Sequence, residues 1–409
     1  MRMSCFLRLK AFCYILVDVI LEAMNAIEIS NCVYAGRKTQ RGVNVKIGIL
    51  SMQRVLNFGS VLQAYSLQKI LESIAKAPVQ FIDIEEDRVC FSKKTIFEEA
   101  DTGEEKALSD GVFSKAKRWS IKRISFWNKK KIRKFMRKTF NLTESNNHSN
   151  YDAVVVGSDE VFNHRHGVNL QLHGDVKQAK CVFSYAASAG SAMIEDISVE
   201  DRGLVRGAMA NFSAISVRDT ATQKYVQSLY DGNVQHHLDP VLVGDLTERK
   251  HRRVWLKNYL LVYAYGHRIK SAQEIDAILK YAKDRGLKSV AVGGSQPWCD
   301  MYIPVSPFRL LDYFYHADAV VTDTFHGAIF SVINQKRFAV IVRKTNENKL
   351  KGLLEDFTLQ NREVQNMDQL AEVLDKTIDY RSVKKILDRE KQRTHSYLAT
   401  ELMRCQNGN

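Results

Sequence analysis

The sequence Ala319-Val-Val-Thr-Asp-Thr-Phe-His-Gly-Ala-Ile-Phe330 decides the fold class of this chain. Its apolar start is typical of a short strand buried on both faces, and the apolar residues after His326 have helical spacing. The same order recurs through residues 259–342, where we predict strands at 259–265, 289–292, 319–322 and 338–342 and helices at 271–285, 307–316 and 326–334. Repeated strand–helix units predict a doubly wound parallel sheet in an α/β fold.

A second set of strand patterns precedes this one, at residues 45–50, 79–84, 153–156, 181–184, 214–217 and 234–238. A polar and basic stretch, residues 242–255, separates the two sets. We therefore predict two Rossmann-like domains, at 45–245 and 246–366, and a helical segment at 367–409 that returns towards the first domain. Ligands of such sheets bind outside the carboxyl ends of the strands, so the two domains are expected to face each other across a cleft.

The first 44 residues are predicted to be an amphipathic or poorly ordered extension outside the main fold. Three basic residues precede the apolar run at 11–17, which imitates a signal peptide, but Asp18 and Glu22 interrupt that pattern. The run is also much shorter than the ~20 residues that a membrane span requires.

Positive charge is concentrated in one segment of the chain. The 409 residues include 60 Lys and Arg against 46 Asp and Glu, and twelve of these cations lie in residues 115–138, which contain no acidic residue. Apolar residues within and just after the segment, Ile132, Phe135, Met136 and Phe140, have helical spacing, which predicts an amphipathic helix. Such a helix could contact nucleic acid, anionic lipid or a polyanionic substrate. We expect an anionic membrane surface rather than nucleic acid, or simply a solvated face.

The seven cysteines are widely separated and form no C-x-x-C motif, which argues against a disulfide framework or a zinc cluster. A reducing cytoplasm fits this pattern. His164-x-His166 and His236-His237 are interpreted as loop histidines rather than metal ligands, because no cysteine lies near them.

The loop after the first predicted strand contains Asn57, Gly59 and Ser60. It has neither a G-x-G-x-x-G motif nor a Walker lysine, so it is not a standard nucleotide loop. These residues could bind an anion at the start of a helix, or Asn57 and Ser60 could merely cap that helix.

Three more strand ends carry polar side chains. Gly157, Ser158 and Asp159 follow the strand at 153–156, where a ligand contact competes with an ordinary helix cap. Arg218 ends the strand at 214–217, where its guanidinium suits a phosphate or carboxylate but could also pair with Asp219. The last of these strand ends lies in the sequence quoted first, where Thr322, Asp323 and Thr324 are followed by His326 and Gly327. A histidine there could act in proton transfer or contact a phosphate.

Together these residues resemble the polysaccharide pyruvyl transferase family. The motifs occur in the family's order as Asn57-Phe-Gly-Ser-Val-Leu-Gln-Ala-Tyr-Ser-Leu-Gln68, Val156-Gly-Ser-Asp-Glu-Val-Phe-Asn163, Ser184-Tyr-Ala-Ala-Ser188, Ile215-Ser-Val-Arg-Asp219, Asp239-Pro240 and Thr322-Asp-Thr-Phe-His-Gly327. The resemblance covers about residues 45–345. It implies a glycosyltransferase-B-like pair of domains, the first for the acceptor and the second for the donor. The implied reaction transfers the enolpyruvyl group of phosphoenolpyruvate to sugar hydroxyls, without a metal or a nucleotide.

The resemblance also implies roles for particular residues. Arg218, Thr324, His326 and Gly327 would bind the donor, with His326 assisting proton transfer. Asp159 and Asp323 are candidates to orient the acceptor sugar or the histidine. Well-studied relatives have an arginine at the position of Thr324, which puts donor binding by that residue in question, although a Ser/Thr-Phe-His-Gly version is also common in the family. The acceptor or its loops would involve Asn57, Gly59, Ser60, Gln63, Gly157, Ser158, Asp159 and Asn163.

Two alternatives stay open at the level of sequence. The same fold could serve a glycosyltransferase that uses a nucleotide sugar, because fold does not determine function. The chain could also be a noncatalytic protein that binds a polyanion or a membrane through residues 115–138, where Trp119, Phe126 and Trp127 lie among the charges. For the enzyme we expect a cytoplasmic location, with attachment to the inner face of the cell membrane.

Overall fold

The computed structural model describes residues 45–85, 115–164, 167–266 and 268–407, with only the backbone given for 115–121. The predicted extension at 1–44 lies outside the described residues. Two parallel sheets form the framework. We call the first sheet with its helices the N-terminal lobe and the second the C-terminal lobe.

The sheet of the N-terminal lobe has six parallel strands in the order β2-β1-β3-β4-β5-β6. These strands are β1 Ile47–Leu50, β2 Val79–Phe81, β3 Ala153–Val156, β4 Val182–Ser184, β5 Phe212–Val217 and β6 Val234–His236. The helices are α1 Phe58–Ala75, α2 Lys115–Thr139, α3 Glu144–Asn147, α4 Val199–Met209, α5 Thr220–Gln227 and α6 Pro240–Val243, with short 3₁₀ turns at Ile194–Asp196 and Asp245–Glu248.

The sheet of the C-terminal lobe has five parallel strands in the order β11-β10-β7-β8-β9. They are β7 Tyr259–Tyr263, β8 Lys288–Val292, β9 Met301–Ile303, β10 Ala319–Thr322 and β11 Phe338–Val340. The helices are α7 Ala272–Asp284, α8 Pro307–His316, α9 Phe325–Ile333, α10 Glu347–Asp356, α11 Leu370–Asp375 and α12 Tyr380–Asn407, and 3₁₀ turns lie at Gln360–Arg362 and Met367–Gln369.

The prediction of two Rossmann-like parallel sheets is confirmed. Central strands such as β1, β3, β7 and β10 are buried at every residue, because helices cover both faces of each sheet. The short strand β9 was not predicted, since its three residues are only half-buried at the edge of the sheet. Several predicted strands end earlier in the structure, among them β2 at Phe81 and β7 at Tyr263.

The sequence pattern predicted a helical segment at 367–409, but the structure shows that this segment is not helical throughout. The backbone becomes extended at Lys376, between α11 and α12, and the carbonyl of Lys376 accepts a hydrogen bond from Arg362. Beyond this break α12 packs against the N-terminal lobe, where the Tyr397 hydroxyl donates to the carbonyl of Ser184 at 2.8 Å. None of the described helices is both long enough and apolar enough to cross a bilayer.

A disulfide joins Cys181, beside β4, to Cys405 near the end of α12. The expectation that the cysteines do not pair is therefore wrong at this position. The two residues are 224 apart in sequence, yet the return of α12 to the N-terminal lobe brings their Cα atoms to 5.3 Å. The spacing of the cysteines along the chain does not predict this pairing.

Candidate active site

A cavity of about 460 Å³ lies between the two lobes. Residues from the carboxyl ends of strands in both sheets line it, together with one side of α2. Parallel sheets leave their ligand sites at this edge, because the loops that follow the strands begin there. The cavity wall contains four Lys or Arg side chains and two carboxylates: Lys129, Arg218, Arg268, Lys349, Asp159 and Glu160.

His326 lies in the first turn of α9, on the C-terminal side of the cavity. Thr324 caps this helix, since its hydroxyl accepts a hydrogen bond from the Gly327 N–H at 3.0 Å. The imidazole lies directly against Gly59 at the start of α1, and a Cβ atom added there would overlap the ring. The glycine therefore allows the two lobes to meet at the histidine.

Asp239 links the histidine to Arg218. One carboxylate oxygen of Asp239 is 2.9 Å from Nη1 of Arg218 and 3.6 Å from Nε2 of His326. Burial favours the neutral acid, but the nearby His326 and Arg218 outweigh it and hold the pKa of Asp239 below its usual value. A carboxylate of the N-terminal lobe thus lies at ion-pair distance from an imidazole of the C-terminal lobe, and Nε2 of that imidazole has no hydrogen-bond partner among the described residues.

Arg218 is almost fully buried, and its charge is balanced by carboxylates. Besides Asp239, Asp159 lies 3.7 Å from Nη2, and the ring of Phe325 covers the guanidinium at 4.4 Å. Asp159 also accepts a hydrogen bond from the Ser60 hydroxyl at 2.6 Å. The predicted strand-end residues of three different segments therefore form one hydrogen-bonded group beside the cavity.

Asn57 combines the two roles that the sequence left open. Its side-chain oxygen accepts a hydrogen bond from the Gly59 N–H at 2.7 Å and so caps α1, while its amide donates to the hydroxyl of Tyr265 at 3.1 Å. Tyr265 belongs to the C-terminal lobe, and both side chains line the cavity.

A second contact between the lobes joins Glu160 to Lys349 on α10. Burial would raise the pKa of Glu160, but the ion pair with Lys349 lowers it to about 2. Asn163 donates a further hydrogen bond to Glu160 at 2.6 Å. The carboxylate is therefore ionised at neutral pH and already fully engaged.

A family model for polysaccharide pyruvyl transferase matches residues 57–345. The chain belongs to this family. The match covers the loop of Asn57, the group around Arg218 and the helix of His326. No curated protein matches the sequence.

Several solved structures resemble the pyruvyl transferase chain in fold alone. One is the UDP-GlcNAc 2-epimerase of Methanocaldococcus jannaschii, with 11% identity, a TM-score of 0.42 and coverage of 84% of this chain and 98% of that one. Another is the glycosyltransferase SnogD of Streptomyces nogalater, with 11% identity, a TM-score of 0.42 and coverage of 88% and 100%. A third is UGT89C1 of Arabidopsis thaliana in complex with quercetin, with 10% identity, a TM-score of 0.47 and coverage of 88% and 99%.

The structure brings many, but not all, of the predicted site residues of this pyruvyl transferase to the cavity. Those that line it are Asn57, Ser60, Asp159, Asn163, Arg218, Thr324 and His326. Those outside the lining are Gly59, Gln63, Gly157, Ser158, Asp323 and Gly327. Substrate contacts by this second group therefore find no support in the geometry.

The residues outside the lining have structural contacts instead. Gln63 donates a hydrogen bond to the Ser51 hydroxyl at 2.8 Å, and the Ser158 hydroxyl donates to the carbonyl of Ala186 at 3.1 Å. Gly157 has a φ of 123°, which favours glycine, and it passes close to the carbonyl of Tyr185. These contacts hold the loop that carries Asp159, and the residues that make them do not form the wall of the cavity.

Sequence reasoning missed several polar residues at this site, among them Glu160, Tyr265, Arg268 and Lys349. Asp239 was quoted only as part of a family motif. It follows β6, so the strand-end argument that selected Arg218 could also have selected it. Lys349 lies within a helix, and its pairing with Glu160 depends on the two lobes meeting.

The paired histidines at 236 and 237 have structural contacts. His236 Nε2 is 2.8 Å from the carbonyl of Arg218, and His237 packs against the Tyr397 ring with centroids 4.6 Å apart. Burial lowers the pKa of His237 to about 3, so this ring is neutral. His166, the partner of His164 in the other motif, lies outside the described residues. Among the residues that are described, no cluster of three metal-binding side chains occurs.

Asp323 lies behind the cavity wall and is fully buried. Nε of Arg343 is 3.6 Å from its carboxylate, and Asn346 donates to its main-chain carbonyl at 2.7 Å. Burial raises the pKa of Asp323 to about 6, although the charges of Arg268 and Arg343 oppose that rise. Compared with the unfolded chain, the folded protein therefore favours the protonated form of Asp323 in the range between about pH 4 and pH 6.

We expect the substitution Asp323→Asn to change how stability depends on pH. The pKa of Asp323 is higher in the folded protein than in the unfolded chain. Its favourable contribution to the free energy of unfolding is therefore present below about pH 4 and lost as pH rises through about 6. Between pH 4 and pH 8 the free energy of unfolding of the variant should improve relative to wild type by up to roughly 3 kcal/mol. Urea denaturation at both pH values measures this change.

The exposed Asp276 on α7 supplies a matched control for this prediction. Asp276→Asn should leave the pH dependence of unfolding as it is in wild type. A stability difference between Asp323→Asn and wild type that is the same at pH 4 and pH 8 would contradict the prediction.

Proposed function

We propose that this protein transfers the enolpyruvyl group of phosphoenolpyruvate to two hydroxyls of a sugar, in a surface polysaccharide or its lipid-linked repeat unit. The products are a pyruvate ketal and phosphate. The observation that carries the proposal is the group formed by Arg218, Asp239 and His326, which joins a guanidinium of one lobe to an imidazole of the other through one carboxylate. Family membership supports the class of reaction.

The reaction needs one proton at carbon and two protons removed from oxygen. Protonation of the methylene carbon makes a methyl group and leaves positive charge at C2. A sugar hydroxyl then forms a bond to C2. The proton of this hydroxyl passes to the group that acted as the acid and restores it. The bond between C2 and the phosphate oxygen breaks with its electron pair on phosphate. The second hydroxyl closes the ketal, and its proton ends on the phosphate.

His326 is suited to be the acid and base of these steps. Its ring lines the cavity, imidazole is the side chain that enzymes use most often for proton transfer, and the carboxylate of Asp239 lies 3.6 Å from its Nε2. The negative charges of Asp159 and Asp239 beside the cavity favour cationic character at C2. In this scheme Arg218 holds the two carboxylates in place and adds positive charge near the leaving phosphate.

Release of inorganic phosphate from phosphoenolpyruvate tests the proposal directly. Purified protein is incubated with phosphoenolpyruvate and a panel of oligosaccharide acceptors, and a ketal methyl group is sought in the product by NMR. Absence of both phosphate release and ketal across the panel counts against the proposal. A thermal shift with a nucleoside diphosphate but none with phosphoenolpyruvate would favour the glycosyltransferase alternative.

The cationic helix α2 provides a surface that fits an anionic membrane. Between residues 122 and 139, where its side chains are described, the exposed ones lie on one face of the helix and comprise seven cations and two aromatic residues: Lys122, Arg123, Lys130, Arg133, Lys134, Arg137, Lys138, Phe126 and Trp127. The opposite side of α2 lines the cavity through Asn128 and Ile132. We propose that this face holds the enzyme on lipid that carries its acceptor.

Charge reversal on this face should weaken binding to vesicles. We expect the double variant Arg133→Glu/Arg137→Glu to bind vesicles containing anionic phospholipid at least tenfold more weakly than wild type, since each cation near such a surface contributes about 1 kcal/mol. The control Arg381→Glu/Lys385→Glu reverses two exposed charges on α12. Sedimentation at low salt measures binding. Equal binding of wild type to neutral and anionic vesicles would exclude this role for α2.

A further inference from the structure

The cavity contains less available positive charge than its four cationic side chains suggest. Arg218 is paired with Asp239 and Asp159, Lys349 is paired with Glu160, and Lys129 on α2 already has a partner of its own. Thr324 contributes no charge, and its hydroxyl is engaged in capping α9. A substrate that carries both a phosphate and a carboxylate needs at least one further cation with unused hydrogen-bond donors.

Arg268 has these properties. It follows β7 in the C-terminal lobe and lines the cavity. Among the described residues it forms no ion pair, although its charge acts on the buried Asp323, and its buried Nη1 has no hydrogen-bond partner. A buried guanidinium nitrogen without a partner loses its solvation unless a ligand supplies an acceptor.

The position of this guanidinium is already fixed before a ligand binds. The group lies over the ring of Tyr265 at 4.5 Å, and the Tyr265 hydroxyl is held by Asn57 of the other lobe. Stacking of a planar guanidinium on an aromatic face keeps its nitrogens directed sideways and leaves them free to bind two oxygens of one oxyanion. The side chain thus loses little conformational freedom when it binds.

We propose that Arg268 is the binding residue for an oxyanion of the donor, either its phosphate or its carboxylate. The identity of the donor rests on the proposed function, whereas the oxyanion site rests on Arg268 itself. In this arrangement His326 and Arg268 contact the same small substrate from the C-terminal lobe, while Arg218 and Asp159 line the cavity from the N-terminal lobe.

The test is the affinity of wild type and Arg268→Met for phosphoenolpyruvate, inorganic phosphate and pyruvate, measured by calorimetry. We expect the variant to bind phosphoenolpyruvate 10- to 100-fold more weakly, with KM raised by a similar factor and kcat changed much less. Arg268→Lys keeps the charge but not the planar pair of donors, so it should recover only part of the affinity. Loss of phosphate binding assigns Arg268 to the phosphate, and loss of pyruvate binding assigns it to the carboxylate.

A matched control comes from Arg285, which also stacks on a tyrosine, Tyr281, at 4.0 Å, but lies away from the cavity and pairs with Asp375. Arg285→Met should leave ligand affinity as in wild type. If Arg268→Met binds all three ligands as wild type does, the inference is overturned while the proposed function stands. If wild type binds none of the three ligands, both are overturned. Equal midpoints of thermal unfolding for wild type and Arg268→Met show that the variant is folded.

Discussion

The substitution His326→Gln should lower kcat for phosphate release from phosphoenolpyruvate by about 10²- to 10⁴-fold, the usual contribution of a general acid–base residue. Glutamine keeps a polar group of similar length but cannot exchange a proton near neutral pH. The histidine is largely buried between Gly59 and Asp239, yet it lines the cavity, so the substitution removes chemistry with little loss of packing. Steady-state kinetics and the thermal midpoint of unfolding together measure both effects.

A companion variant separates the position of the ring from its chemistry. Gly59→Ala places a methyl group where the imidazole lies, so the ring must leave its present position. Displacement of about 1 Å can reduce turnover by about 100-fold. Gly207→Ala on α4 is the control, because a Cβ there meets open space.

Either of two results would contradict this account of His326. One is full activity of His326→Gln. The other is a further loss when Gly59→Ala is added to His326→Gln, since the two substitutions act through the same ring and should not be additive.

The substitution Asp239→Asn should lower both stability and activity. Arg218 is buried, and Asp239 is its nearest carboxylate, so removing that charge leaves a buried cation only partly compensated by Asp159. Breaking a buried ion pair from one side costs about 3–5 kcal/mol. Asparagine retains a side-chain oxygen that can cap α6, as Asp239 does for the Val241 N–H at 3.0 Å. The expected loss therefore reflects charge rather than the cap.

Asp312 provides a matched comparison for Asp239. It is also buried and pairs with two arginines, Arg249 at 2.7 Å and Arg309 at 2.9 Å, but it does not line the cavity. Asp312→Asn should destabilise the protein by a similar amount while kcat per folded molecule stays at the wild-type value. Asp239→Asn should lower kcat as well, because His326 loses its orienting carboxylate. Unchanged kcat in Asp239→Asn would remove Asp239 from the proposed mechanism.

Local sequence patterns selected seven of the residues that line the cavity. The residues at strand ends, such as Asp159, Arg218 and Thr324, could be selected because the carboxyl ends of parallel strands share one edge of a sheet. This argument could not distinguish the polar residues that line the cavity from the polar residues of the same motifs that do not. Gln63 and Ser158 differ from Asn57 and Asp159 only in where their side chains point, and that depends on contacts with distant segments.

The amino-acid sequence by itself determined the two parallel sheets, the family and the cationic helix, because apolar periodicity, strand-end motifs and charge are properties of neighbouring residues. Tertiary structure alone decided which charges remain available. Asp239 neutralises Arg218 and lies near His326, Lys349 neutralises Glu160, and Arg268 is left stacked on Tyr265. The contacts of Asp239 with His326 and of Glu160 with Lys349 join residues far apart in the chain, and electrostatic interactions depend on distance and burial in space rather than on position in sequence.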